Sequence, residues 1–290
     1  MLDLSIVVPV RNAEDMIEEC LDSIVLAEPR EIIVVDGLST DKTMGIARRY
    51  PVRILSDEGR GLPAARLLGA RAATSRWVAL IDSDVVLPDG ALEALLEEFN
   101  ENGYTGLQAG LESSSGPGYW GRALVHHHRS GRSKNWFGVV ATIFERETLL
   151  RYGFDDRFLS GEDWELRWRL ERAGAKVGVS RQTVVDHRFG DDFAFAQGQW
   201  LADGHGLARL INKQGWHAAH LVGLPLAAGV RGIGLSLIGR QPRWVPYYLC
   251  YGVFNYLGML MELFGGLNRR GSRRRRPKKH EREALPDEAP

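Results

Sequence analysis

The sequence predicts an α/β domain in which helices flank a mainly parallel sheet. In the N-terminal third, apolar runs typical of strands buried on both faces alternate with helical segments of about 10–15 residues. Such strand–helix–strand units are right-handed crossovers, which make neighbouring strands parallel. The composition, 44% hydrophobic and 26% charged among 290 residues, is ordinary for a globular protein and excludes wholesale disorder or fibrous repeats.

The N-terminal third predicts four strands and four helices in alternation. Ligands of such sheets bind beyond the carboxyl ends of the strands, where Asp36 and Asp82 fall. The predicted strands are Leu4–Val10, Glu31–Val35, Val52–Leu55 and Trp77–Ile81. The predicted helices are Ala13–Leu26, Ser39–Arg49, Gly61–Thr74 and Asp89–Asn100.

A mixed pattern follows to about residue 190 and completes the same sheet. A Gly/Ser-rich break is expected at Ser113–Gly118, and residues 191–216 read as helical. The run His126–His128 is not a metal site, because consecutive residues on a helix point around its cylinder. Strands are expected at Gly106–Gly110, Val139–Phe144, Lys176–Val179 and Thr183–Asp186, with a helix at Asp163–Ala173.

Two apolar segments, Leu221–Gly239 and Trp244–Leu267, predict a membrane-associated helical region over 191–267. The 24 residues of the second would form a helix of about 36 Å, long enough for a ~30 Å hydrocarbon core. Pro225 and the basic linker between the segments favour helices that lie in the interface or form a shallow hairpin. The alternative is a pair of helices buried in an oligomer interface.

The charge is asymmetric, although the net charge is zero. Residues 269–290 carry nine Arg/Lys and four Asp/Glu, so this tail is +5 and the rest is −5. Residues 268–290 are therefore predicted to be a disordered basic tail, either for an anionic surface such as phospholipid or for solubility. The tail lacks interleaved aromatic residues, so specific nucleic-acid binding is not expected. Two cysteines exclude a disulfide scaffold, and the N-terminus lacks the basic start of a secretory signal.

The strongest local motif is Asp82-Ser83-Asp84, directly after an apolar strand. Two carboxylates at this spacing can turn toward one hard cation, and Mg²⁺ and Mn²⁺ prefer oxygen ligands. An acidic turn that precedes a helix has the same sequence pattern. Here the motif follows a strand, as Asp36 does, and this placement favours a cation site in which the ion neutralises a diphosphate.

Five ordered blocks together resemble the family 2 glycosyltransferases, which are inverting enzymes of the GT-A fold that use nucleotide-sugar donors. The resemblance implies that Val10 lines the nucleotide base, that Asp36 accepts from a uracil-like base and that Arg66 lies near the base or phosphates. It also implies that Asp82 meets the ribose and metal and that Asp84 is the principal metal ligand. The blocks are SIVVPVRNAE (5–14), EIIVVDGLSTDKT (31–43), GLPAARLLGARAA (61–73), WVALIDSDVVLP (77–88) and GFDDRFLSGEDWELRWRLERAG (153–174).

A second acidic group, Ser160-Gly161-Glu162-Asp163, precedes a predicted helix. Taken alone, it fits a capping-box-like helix start. The resemblance implies that Asp163 is the base that deprotonates the acceptor hydroxyl and that Glu162 assists it. His187 is the candidate third ligand of the metal.

The resulting prediction is a GT-A domain at 1–190, with a donor half at about 1–105 and an acceptor half at about 106–190. It would transfer a sugar, from a donor of UDP type, to a lipid-linked or envelope glycan acceptor at the cytoplasmic face of the membrane, with Mg²⁺ or Mn²⁺. Leu67 stands where relatives often have Asn, which weakens any polar contact there. The segment 197–200 lacks the arginine of the motif found in processive relatives, so a processive polymerase is not expected. The alternatives are a nucleotidyltransferase, disfavoured by the glycine-free segment 9–13, and a non-catalytic scaffold for membrane or nucleic acid.

Overall fold

An eight-stranded mixed sheet forms the centre of the fold. The computed structural model of the chain describes residues 2–130 and 136–273, the side chains of 266–273 excepted. The strand order is β3-β2-β1-β4-β7-β6-β8-β5. The strands are β1 (Leu2–Val10), β2 (Pro29–Asp36), β3 (Arg53–Ser56), β4 (Trp77–Ile81), β5 (Val85–Val86), β6 (Gly106–Ser115), β7 (Ala141–Glu145) and β8 (Val177–Phe189).

The predicted fold class is confirmed. Among the described strands, four of the seven neighbouring pairs are parallel: β1–β2, β1–β4, β2–β3 and β6–β8. The predicted strands and helices of the N-terminal third are present, with boundaries moved by up to four residues. The carboxyl ends of β1, β2 and β4 therefore meet at one edge of the sheet, as the alternating pattern indicated.

The second half differs from the prediction at two strands. The expected break at Ser113–Gly118 begins later, since β6 continues to Ser115. The two short strands predicted between 176 and 186 form one strand, β8, that continues to Phe189. Its pairing with β6 jumps from Val179 to Val184, so the turn-like residues between them form a bulge inside a continuous strand.

Ten α-helices occur in the described ranges. On one face of the sheet α1, α2 and α4 cover a core that includes Ile6 and Val8; on the other, α3, α6 and α7 cover Val7 and Leu80. The helices are α1 (Ile17–Leu26), α2 (Thr43–Ala47), α3 (Leu62–Ala72), α4 (Ala91–Asn102), α5 (Tyr119–Ser130), α6 (Arg146–Tyr152), α7 (Glu162–Arg172), α8 (Phe193–Gln214), α9 (Leu224–Ile238) and α10 (Val245–Arg273).

The C-terminal helices form a unit beside the sheet. Trp200 of α8 and Tyr247 of α10 are fully buried in its aromatic core, together with Leu124 of α5. The continuous helical stretch Phe193–Ile238 is long and apolar enough to cross a membrane, judged by length and composition alone. The predicted tail at 268–290 begins as helix, because α10 extends to Arg273, and residues 274–290 lie outside the described residues.

Candidate active site

The carboxyl ends of β1 and β2 bring Val10 and Asp36 side by side. The two residues are partners in the parallel register, and Val10 is buried. The backbone N–H of Gly37 donates to the Val10 carbonyl at 2.8 Å, and that of Ser39 donates to Asp36 Oδ1 at 3.0 Å. The Asp36 carboxylate is thus fixed at the sheet edge where the sequence predicted the nucleotide base.

The Asp82–Asp84 turn leaves the end of β4 and meets β8. Val85 pairs with His187 in the antiparallel register of β5 and β8, so His187 lies next to the turn. Its Nε2 is 3.4 Å from Asp84 Oδ2. Although burial lowers the pKa of His187, the carboxylates of Asp84 and Asp82 outweigh this effect and raise it.

Arg66 connects the two acidic groups of the sequence. From α3 its Nη2 donates to both carboxylate oxygens of Asp82, at 2.8 and 3.0 Å, and its Nη1 donates to Glu162 Oε1 at 2.8 Å. The side chain is only 1% exposed, so it presents almost no surface to a ligand. From this position Arg66 orients the two carboxylates, and its place near the base or phosphates stays a prediction.

The residues around Asp84 fit a divalent cation that is shared with a substrate. Asp84 Oδ1 and His187 Nδ1 are buried and have no hydrogen-bond partner among the described residues. Burial raises the pKa of Asp82 to about 6, against the opposing charge of Arg66. In the described part of the chain no three His, Cys, Asp or Glu side chains converge as a complete ligand set. Two protein ligands with diphosphate oxygens in the remaining positions are typical of Mg²⁺ sites.

Glu162 and Asp163 begin α7, and the helix starts differently from the prediction. The N-cap is Gly161, at φ +73°, and no side chain caps the helix, so Ser160 does not form the expected capping interaction. Trp136 Nε1 donates to Asp163 Oδ2 at 3.4 Å. Burial and the neighbouring charge of Glu162 raise the pKa of Asp163 to about 7. A carboxylate with this pKa can accept a proton near neutral pH.

A buried amide missed by the sequence analysis holds the loop that carries Trp136. Gln108, near the start of β6, donates from Nε2 to the Trp136 carbonyl at 2.9 Å and accepts from the Gly138 N–H at 2.7 Å. Trp136 also packs on Trp164, with ring centroids 4.2 Å apart. A glutamine inside an apolar strand was the available signal, but its partners are 28 and 30 residues away.

A cavity of about 790 Å³ opens beside Asp163 and His187 and extends between the sheet and the C-terminal helices. His127 and His128, from the histidine run, lie on its wall. Burial lowers the pKa of His127 to about 4 and that of His128 to about 3, so both are neutral at physiological pH. The cavity therefore joins the candidate base to a binding space in which these two histidines carry no charge, on the side where the sequence predicted an acceptor.

The arrangement of sheet, helices and acidic turn is that of a GT-A glycosyltransferase fold. The structure matches that of a mannosyltransferase from Pyrobaculum calidifontis, solved with GDP-Man and Mn²⁺, with a TM-score of 0.65. The two chains are 22% identical, and the match covers 89% of this chain and 87% of the other. Residues 5–158 match the model described as Glycosyl transferase family 2. The chain belongs to this family, which confirms the resemblance found in the five sequence blocks.

Two relatives are similar to this chain over about three fifths of its length. The succinoglycan biosynthesis protein ExoO of Rhizobium meliloti (strain 1021) is 28% identical in an alignment of 204 positions that covers 61% of this chain. The pre-mycofactocin glycosyltransferase of Mycobacterium tuberculosis (strain CDC 1551 / Oshkosh) is 31% identical in an alignment of 209 positions that covers 64% of this chain. The matches span 58% and 42% of the lengths of these relatives.

Proposed function

We propose that the protein is an inverting glycosyltransferase that moves a sugar from a nucleoside-diphosphate donor to an acceptor hydroxyl. The observation that carries this proposal is the single cavity bordered by both Asp163 and His187, with His187 in turn facing Asp84. A donor diphosphate at Asp84 and an acceptor hydroxyl at Asp163 would then lie on two sides of one space. A single displacement requires this arrangement, because the acceptor attacks opposite the leaving group.

Asp163 is the proposed base. Its carboxylate takes the proton of the acceptor hydroxyl while the acceptor oxygen bonds to the anomeric carbon and the bond from that carbon to the diphosphate oxygen breaks. The nucleoside diphosphate leaves with the electron pair, and one displacement inverts the anomeric centre. The hydrogen bond from Trp136 orients the carboxylate, and the pKa of about 7 lets it accept the proton at neutral pH.

Asp84 and His187 are the proposed protein ligands of Mg²⁺ or Mn²⁺, and Asp82 would contact both the ribose and the ion. When bound, the ion neutralises the diphosphate and stabilises it as a leaving group. Arg66 holds Asp82 and Glu162 in fixed orientations through its three hydrogen bonds. Glu162 supports Asp163 from the adjacent position in the first turn of α7.

Val10 and Asp36 are the proposed base-binding residues, with a uracil-type base favoured. A carboxylate at the sheet edge accepts a hydrogen bond from the ring N–H of such a base. Guanine also carries a ring N–H, and GDP-Man was the donor in the Pyrobaculum enzyme, so the two nucleotide classes are compared directly in the experiment below.

The proposed acceptor is a lipid-linked or envelope glycan at the cytoplasmic face of the membrane. One relative is named for succinoglycan biosynthesis, which supports a polysaccharide acceptor. Helices α9 and α10 expose apolar side chains at helical spacing, and we call this surface the α9–α10 apolar stripe. Its members are Leu226, Val230 and Leu237 on α9 and Leu249, Val253, Leu257, Leu260 and Phe264 on α10. Exposed apolar side chains at helical spacing suit the boundary between head groups and acyl chains.

The test is a panel of UDP- and GDP-sugars with Mg²⁺ or Mn²⁺, scored by release of nucleoside diphosphate and by thermal stabilisation. A donor at about 100 times its Kd stabilises the protein by about 2.7 kcal/mol. We expect chelation of the metal and Asp84→Asn to reduce donor stabilisation. We expect Asp163→Asn to retain donor stabilisation and to lower turnover by about 10²–10⁴.

Asp89→Asn is the matched control, because Asp89 is an exposed carboxylate shortly after the same turn. It is expected to behave as the unmodified chain. Undiminished turnover in both Asp84→Asn and Asp163→Asn would overturn the proposal, and release of pyrophosphate would identify a nucleotidyltransferase instead.

A further inference from the structure

The cavity has a second polar region, on the wall formed by α8 and α10. Asp203 of α8 and Asn255 of α10 both line the cavity. Gly204, next to Asp203, touches the Asn255 backbone: a Cβ on Gly204 would lie 2.0 Å from the Asn255 carbonyl oxygen. The two helices therefore meet backbone to backbone at this point, at Asn255 on α10 and one residue after Asp203 on α8.

Asp203 is a carboxylate without a partner in the described part of the chain. No hydrogen bond or ion pair to its side chain occurs there, although its charge acts on the nearby Tyr247 and Tyr251. The side chain is exposed, and the space that it faces is the cavity. Its accessible surface lies inside the cavity, where the surrounding protein limits contact with bulk water, and this desolvation raises the pKa of Asp203 to about 7. The carboxylate is therefore free to bind a ligand that enters the cavity.

Asn255 supplies an independent observation. Its side chain is fully buried, and Nδ2 donates to the Tyr251 carbonyl at 2.9 Å. Its Oδ1 is buried without any hydrogen-bond partner among the described residues. A buried amide oxygen that lacks a donor costs about 1–3 kcal/mol, unless a ligand or water supplies the hydrogen bond. The cavity that Asn255 lines is where such a donor can enter.

Both free groups accept hydrogen bonds, so the matching ligand must donate them. On the α5 side of the cavity Arg129 is paired with Glu112, and His127 is neutral, so these residues leave no unpaired charge for an ionic ligand. The Asp203 carboxylate disfavours an anionic ligand. A neutral polyhydroxylated ring provides donors without charge. Leu207, Leu210 and Leu224 extend the cavity as apolar wall, which suits an apolar group attached to that ring.

We propose that Asp203 and the Asn255 amide oxygen bind the hydroxyl groups of a neutral saccharide unit in the acceptor, attached to an apolar group that lies against the leucine wall. This inference rests on the proposed function, because it identifies the acceptor class of the same site. Asp203 and Asn255 are then residues of acceptor recognition, and Asp163 is the group that takes the proton.

The experiment measures binding of alkyl glycosides without nucleotide or metal. Octyl glucoside, octyl mannoside and octyl galactoside, below the concentrations at which they form micelles, are titrated into the full chain by calorimetry. We expect at least one to bind, and we expect its Kd to rise at least tenfold in Asp203→Leu and in Asn255→Leu. Asn212→Leu is the control: Asn212 lies exposed on the same helix, outside the cavity lining, and its substitution is expected to leave the Kd unchanged.

Three outcomes would overturn the inference. In the first, none of the glycosides binds. In the second, the unmodified chain and Asp203→Leu bind a glycoside with equal Kd values. In the third, octylammonium binds more tightly than every glycoside. Asp203→Leu places an isosteric side chain on a cavity wall, so it tests the inference even if Asn255→Leu does not fold.

Sugar transfer from nucleotide donors is scored separately. A chain that binds glycosides but transfers no sugar would contradict the proposed function alone, and the reverse result would contradict this inference alone.

Discussion

The backbones of Gly161 and Gly206 touch where α7 begins. A Cβ on Gly206 would lie 3.1 Å from the Gly161 Cα, and a Cβ on Gly161 would lie 2.9 Å from the Gly206 Cα. Gly161 also has a positive φ of +73°, a conformation that suits glycine. Through this contact the C-terminal helices support the helix start that carries Asp163, so the α/β domain and the helical unit share the proposed site.

Gly206→Ala tests this contact. We expect the free energy of unfolding to fall by about 1–3 kcal/mol, because the added methyl meets backbone that cannot swing away. The control is Gly198→Ala on the same helix, where a Cβ would meet nothing within 4 Å. It is expected to add about 0.5–1 kcal/mol, since alanine favours helix. Urea unfolding followed by circular dichroism measures both, and equal effects would show that the contact is unimportant for stability.

Arg66→Met tests the bridge between Asp82 and Glu162. Removing the guanidinium leaves two carboxylates, one of them buried, without their partner, and loss of one member of a buried ion pair costs about 3–5 kcal/mol. Arg71→Met, at an exposed position on the same helix, should stay within about 0.5 kcal/mol of the unmodified chain. Adding Glu162→Gln to Arg66→Met should recover part of the loss. Equal unfolding midpoints for the two arginine variants would contradict the assignment.

The pH profile of kcat/KM tests Asp163 as the base. The charged carboxylate is the active form, so activity should rise with pH and level off above about 7, falling about tenfold per unit below it. The hydrogen bond from Trp136 favours the charged form and lowers this pKa. Trp136→Phe should therefore move the midpoint to higher pH. A midpoint that does not respond to this substitution would assign the acidic limb to another group.

The donor side of the site was the part most accessible to sequence reasoning. Asp36 and Asp82 follow apolar strands directly, and strands in parallel order present their carboxyl ends at one edge. The pairing of Arg66 with Glu162 joins residues 96 positions apart, and no local pattern encodes it. Asp203 looked like an ordinary polar residue in an amphipathic helix. Its place on the cavity wall depends on the packing of α10 against α8, which the sequence pattern does not encode.

The bulge in β8 shows a second limit of the sequence. Ser180 Oγ accepts from the backbone N–H groups of Gln182 and Thr183, a local arrangement typical of turns. The sequence therefore predicted that the strand ends there. Pairing with β6 on both sides of the bulge keeps the strand continuous as far as His187, and this carries the histidine to Asp84. Tertiary pairing thus overrides the local turn signal at the point where the candidate metal site depends on it.

The α9–α10 apolar stripe predicts binding to lipid vesicles. Leu249 and Val253 are 56% and 63% exposed one helical turn apart on α10, so contact with acyl chains removes apolar surface from water. Burying a side chain of this size contributes about 1.5–3 kcal/mol, so Leu249→Glu with Val253→Glu should weaken vesicle binding by about tenfold or more. The control is Asn212→Glu, which adds one negative charge at an exposed position outside the stripe and so measures the effect of charge on vesicle binding. Co-sedimentation with neutral phosphatidylcholine vesicles at high salt isolates the apolar contribution from that of the basic tail. Loss of binding on raising the salt, with no effect of the glutamates, would assign membrane attachment to the tail instead.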